Sequence, residues 1–96
     1  MLSHEARQRA LEAGHILASP VFHDAFAALD ARYVAMWRGA QSAEERDRAW
    51  IMQRQLSALK KEIFDVLQCA AVKEQGKDKQ LNAVLNAARE KERIHG

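Results

Sequence analysis

A chain of 96 residues holds one domain at most, and one of this size buries only about 60–65% of the surface its unfolded form exposes. Association with other copies or with a larger body is therefore expected. Hydrophobic residues make up 48% of the chain, but alanine dominates them, and 3 Phe, 2 Trp and 1 Tyr leave few large groups for a core. With 15 Lys and Arg against 13 Asp and Glu, the net charge of +2 is too small to define a nucleic-acid surface by itself. The single Cys69 excludes an intramolecular disulfide. No run approaches the ~20 apolar residues of a membrane span, and charged residues among the first 18 positions speak against a secretory leader, so a cytoplasmic protein is expected. With 1 Pro, 4 Gly and no low-complexity run, no internal linker is expected, and residues 1–96 read as a single helical domain.

Taken in chain order, the pattern predicts four helices. Ser3 caps a first helix over about residues 3–18, whose Ala6, Ala10, Ala13 and Leu17 form a weak, mostly alanine stripe. Ser19-Pro20 then starts a second helix, about 20–38, because Ser is a good N-cap and proline at the first helical position gives up an N–H that has no helical partner. Phe22, Phe26, Leu29, Tyr33 and Met36 put the large side chains of that helix on one seam, with Trp37 beside it, and Gly39 ends it. Ser42-Ala43-Glu44-Glu45 is a capping box that opens a third helix, about 43–74, with Glu45 expected to reach back to the Ser42 amide. Ala49, Met52, Leu56, Leu59, Ile63, Val66 and Ala70 alternate spacings of three and four along it. The link Gly39-Ala40-Gln41 is short enough to force an antiparallel hairpin of the second and third helices. The first helix has room to pack along the same long partner beyond the Ser19-Pro20 break. Asp78 caps a fourth helix, about 78–94, whose Leu81, Val84, Leu85 and Ala88 are too few for firm burial.

The fold class is thus all-α, with the hairpin as its centre. Pairing the two seams buries about ten side chains at ~1.5–3 kcal/mol each, which chain entropy of ~1–2 kcal/mol per ordered residue nearly cancels.

Chemistry-bearing patterns are sparse. His4-Glu5 lacks the second histidine of a zinc-protease helix, and Cys69 has no partner at metal-ligand spacing, so no metal site is assigned. No glycine-rich phosphate loop, nucleophile elbow or other cofactor motif occurs, and Glu44-Glu45 is explained by capping. No catalytic residue and no cofactor is assigned, and a non-enzymatic role is expected. His15 and His23, either side of the Ser19-Pro20 break, read as surface histidines at helix ends. Trp37 and Trp50 flank the hairpin turn and are expected to close its end as core. The functional alternative is a partner-binding anchor formed by Trp37, Arg38, Arg46, Trp50 and Arg54, since Trp and Arg are enriched in interface hot spots. Lys60-Lys61 and the C-terminal Lys73, Lys77, Lys79, Arg89, Lys91 and Arg93 read as a solvated face, or alternatively as a basic face toward nucleic acid or an acidic protein.

The run Ile16-Leu17-Ala18-Ser19-Pro20-Val21-Phe22, then Ala25-Phe26, Leu29, Tyr33, Trp37, Glu45-Arg46 and Trp50, resembles a group of small uncharacterised α-helical proteins of tailed bacteriophages and prophages. The resemblance covers about residues 16–70 and lies in packing motifs, which bear on fold more than on activity; the segment after residue 70 departs from it. It implies a phage-encoded structural or assembly protein. Such a protein binds in several copies to a virion body such as the portal and tail connector, and is found in the host cytoplasm during assembly or in the virion. Virion proteins and further copies of the chain are the expected partners. The alternatives are a nucleic-acid-binding adaptor similar to a small terminase subunit and an inhibitor of a host protein.

Overall fold

The computed structural model describes residues 2–95, with the side chains of residues 94 and 95 outside the description. It contains four helices: α1 (His4–Ala18), α2 (Pro20–Arg38), α3 (Ala43–Lys73) and α4 (Lys79–His95). All four expected helices are present, each within a residue or so of its expected ends, and the molecule is elongated, with extents of 52 × 21 × 18 Å.

The boundaries follow from local chemistry. The Ser3 hydroxyl accepts from the Ala6 amide, Ser42 from Glu45, and Asp78 from both Gln80 and Leu81, so three helices begin on a capping side chain. Glu45 closes its box one residue earlier than expected, accepting from the Gln41 amide at 2.8 Å rather than from Ser42. Ser19 serves two helices at once. Its backbone N–H donates to Ile16 at the end of α1, and its hydroxyl accepts from Phe22 at the start of α2. The proline that follows disfavours helical backbone at Ser19, which sits extended at φ −70°, ψ 124°.

α3 is the spine. The hairpin partner α2 runs antiparallel to its N-terminal half, α1 continues along its C-terminal half, and α4 turns back to lie against α1 and α3. The molecule therefore has a three-helix base and a two-helix tip. Across the tip, Gln53 of α3 donates to Asp30 of α2 at 3.0 Å, which fixes the level at which the two helices face each other.

The core lies in the base, and this corrects two expectations. Leu11, Leu17, Leu67, Leu81 and Leu85 are buried there together with Ala10, Ala13, Ala70, Ala71 and Ala88. The fourth helix, expected to be too poor in apolar residues for firm burial, buries Leu81, Leu85 and Ala88, because the alanines of α1 and α3 let the helices approach closely. Gly14 of α1 makes that approach possible: a Cβ placed there would lie 1.9 Å from Cγ1 of Val84 on α4 and 3.6 Å from Cδ2 of Leu67 on α3. The hairpin, expected to hold the main core, buries far less. Phe22, Phe26, Leu29 and Tyr33 are half-buried, and Leu59 and Val66 are exposed. Two paired helices cover only one side of each other. On α3, the side turned to α2 carries Ala49, Gln53, Leu56, Lys60 and Ile63. The seven-residue series Met52, Leu59, Val66 lies on its flank.

The N-terminus is stapled to the turn between α3 and α4. The Leu2 amide donates to Glu74 at 2.7 Å, and Arg7 Nε donates to Asp78 at 2.8 Å while its Nη2 reaches Gln80. That turn passes through Gln75 and Gly76, both at positive φ (56° and 74°).

Candidate protein-interaction surface

Five expected anchor residues lie at or near the tip of the hairpin, and the structure corrects the reading of Trp37 and Trp50 as core. Trp37 is 48% exposed and Trp50 49%, and the two indoles make no ring contact with each other among the described residues. With only two helices there, no third element covers the end. Arg54 lies one turn after Trp50 on α3 and stacks over its ring, 4.7 Å from the centroid, so an apolar face and a cation are presented together. Arg38 ends α2 and Arg46 lies in the second turn of α3; both are exposed and make no ion pair among the described residues. Arg48, by contrast, pairs with Glu44 within its helix at 3.6 Å. Ile51, 48% exposed, extends the apolar patch beside Trp50, and a shallow groove runs past Trp50, Arg54 and Ala58.

The expected basic C-terminal residues do not form one face. Lys73 sits at the end of α3 and Lys77 in the following turn. On α4, at about 100° per residue, Arg89, Arg93 and Lys79 fall within about 80° on one side of the buried Leu81–Leu85–Ala88 stripe, while Lys91 lies on its other flank. Arg93 is engaged by Glu90 through both carboxylate oxygens. With Arg93 paired and Lys79 about 20 Å away along the helix, these cations match an ordinary solvated surface.

Lys60 departs from the solvated reading. Its side chain is largely covered, its ammonium lies 4.5 Å from the Phe26 ring centroid, and it donates to Glu92 at 2.7 Å. One lysine thus ties α2, α3 and α4 together where base meets tip. His23 departs in the same way: its ring is buried, and Nε2 donates to the carbonyl of Leu17, one of the α1 carbonyls left without a helical partner at the break. Both roles depend on neighbours distant in sequence, and no spacing rule marks them.

Among the described residues the groups with clearly displaced ionisation are Arg7 and Asp78, a structural pair. The Arg7 guanidinium, helped by the Leu81 amide, holds the Asp78 carboxyl below its usual range, and Asp78 holds Arg7 protonated to higher pH. Among the described residues no group of three or more His, Cys, Asp or Glu is placed to hold a metal ion, and no helix is long and apolar enough to cross a membrane. A cavity of about 460 Å³ beside Lys60 is an open cleft between Phe26, Phe64 and Glu92.

Comparison with known protein families, with curated proteins and with solved structures finds no match. The class defined by fold and surface is that of an all-α protein with a helical hairpin extending from a three-helix base.

Proposed function

We propose that the chain is a non-catalytic assembly protein of a tailed bacteriophage, docking in several copies on a larger virion body through the tip of its hairpin. The observation that carries the docking role is an inversion of the usual burial order. The base is filled by leucine and alanine, while both tryptophans and Ile51 stand half-exposed at the other end of the molecule. Large aromatic anchors beside unpaired arginines are the composition of interface hot spots. The phage assignment rests on the resemblance over residues 16–70, and the portal and tail connector region is the virion body that it suggests.

The test is whether the protein is present in purified particles at a fixed stoichiometry. Replacement of both Trp37 and Trp50 by alanine is expected to abolish incorporation while circular dichroism stays unchanged. Normal incorporation of that folded variant, or absence of the protein from both particles and assembly intermediates, would overturn the proposal.

The stack of Arg54 on Trp50 favours one second reading, a nucleic-acid adaptor, since an exposed aromatic face with a cation is also a platform for unpaired bases. That reading requires a mobility shift that weakens steeply with salt and is lost in Trp50→Ala.

A further inference from the structure

We infer that the flank of the hairpin carrying Met52 and Leu59 binds a second copy of this chain, antiparallel and about a two-fold axis, to complete a four-helix bundle. This flank does not include Trp37 or Trp50, so the inference stands whether or not the tryptophans dock on a virion.

On α3, residues 48, 52, 55, 59 and 62 fall within a stripe about 80° wide. Leu59 is 56% exposed, Val66 38% and Met52 half-buried, so two of the seven residues in the three-four apolar pattern of α3 are exposed and a third is only partly covered. The handedness of two antiparallel helices puts Ala25, Leu29 and Met36 of α2 on the same side. Met36 and Arg48 do line one groove at the tip, as expected of that side. α4 lies on the opposite side, where Glu92 meets Lys60.

The charges indicate what covers this flank. Arg48 and Glu62 stand seven residues either side of Gln55, with opposite signs. The Asp30–Gln53 hydrogen bond puts Ala28 and Gln55 at one level along the hairpin. A single two-fold axis through that level therefore brings Arg48 of each copy to Glu62 of the other. It also sets Met52 against Leu59 twice. An isologous interface requires this self-complementarity. Glu62 makes no ion pair within the chain among the described residues, and the Arg48–Glu44 contact is exposed. The 19 residues of α2 give a face about 28 Å long and about 20 Å wide. That is a footprint of roughly 560 Å², close to the ~600 Å² per partner at the lower end of specific interfaces.

The test is sedimentation equilibrium of the full chain. The expected result is a monomer–dimer equilibrium that Leu59→Glu weakens at least tenfold with helicity retained, the position being exposed. Glu62→Arg alone is expected to weaken the dimer, and its combination with Arg48→Glu to restore it. In a Cys69→Ser background, Gln55→Cys sits on the axis and is expected to form an intermolecular disulfide on mild oxidation. A monomer at all concentrations, a dimer indifferent to Leu59→Glu, or a dimer in which Gln55→Cys fails to cross-link while the charge reversal is not rescued would each overturn the inference.

Discussion

Residues 43–59 and 60–73 belong to one uninterrupted helix, yet its two ends live in different surroundings. The C-terminal half of α3 is met by α1 and α4 and buries Leu67, Ala70 and Ala71. The N-terminal half is met by α2 alone and buries Ala49, leaving Trp50 and Ile51 half in solvent. Burial here follows the number of neighbouring helices rather than the apolar content of the segment. Small residues decide where neighbours can come. Gly14 and the alanines of α1 allow two further helices to close on α3 in the base, whereas at the tip only α2 lies against it.

The sharpest way to break this comparison is a matched pair of truncations in the same helix. Leu67→Ala empties a fully buried site where three helices meet and is expected to cost about 2–5 kcal/mol in urea unfolding. Leu59→Ala, one turn into the exposed tip and measured at low protein concentration, is expected to cost less than about 0.5 kcal/mol, as at an ordinary surface position. Equal costs would show that tip and base are packed alike.

Gly14→Ala is next in size. Alanine is the better helix former by about 1 kcal/mol, yet its methyl would overlap Val84, and pushing α1 from α4 is expected to destabilise by a net ~1–3 kcal/mol. Val84→Ala in the same chain should recover most of that loss. A Gly14→Ala protein as stable as the parent would mean that the base tolerates a wider α1–α4 spacing.

A smaller effect separates the base by pH. Because Arg7 and the Leu81 amide hold the Asp78 carboxyl below its ordinary value of 3.8, the folded state binds its proton less readily than the unfolded chain. The stability that this pair contributes is complete above about pH 4 and is lost as pH falls through the lower folded value. Thermal melts of Asp78→Asn are expected to start lower at neutral pH and to change less than the parent between pH 4 and pH 2. Hydrogen exchange should show the α1–α4 end opening first.

The helices, their caps and the hairpin turn were legible because each is written in local chemistry: Ser19-Pro20, Ser42 to Glu45, Asp78, and seams at spacings of three and four. The location of the core was not. An alanine stripe in α1 and a lone glycine at position 14 look weak by side-chain size, and their value appears only when a facing Leu67 and Val84 fill the space they leave. Heptad spacing in α3 likewise shows which residues are apolar but not how many helices share them, so Leu59 and Val66 were expected against α2. The tip residues Trp37, Arg38, Arg46, Trp50 and Arg54 were found from composition near the turn. Their exposure, and the stacking of Arg54 on Trp50, needed the missing third helix to be known.

Those tryptophans are expected to contribute little for their size, and that sharpens the contrast. A buried tryptophan replaced by alanine costs about 3–5 kcal/mol. With about half of each indole already in solvent and no ring contact between them, Trp37→Ala is expected to cost well under that, near 1 kcal/mol, and Trp50→Ala a little more because Arg54 loses its stacking partner. Fluorescence reads the same property directly. Each single-tryptophan variant is expected to emit at long wavelength and to be quenched by acrylamide at nearly the rate of a free indole, and Arg54→Ala should increase quenching at Trp50 alone. A blue-shifted, protected emission from either indole in the free monomer would place it in a core, and the tip would then have no exposed anchor to offer a partner.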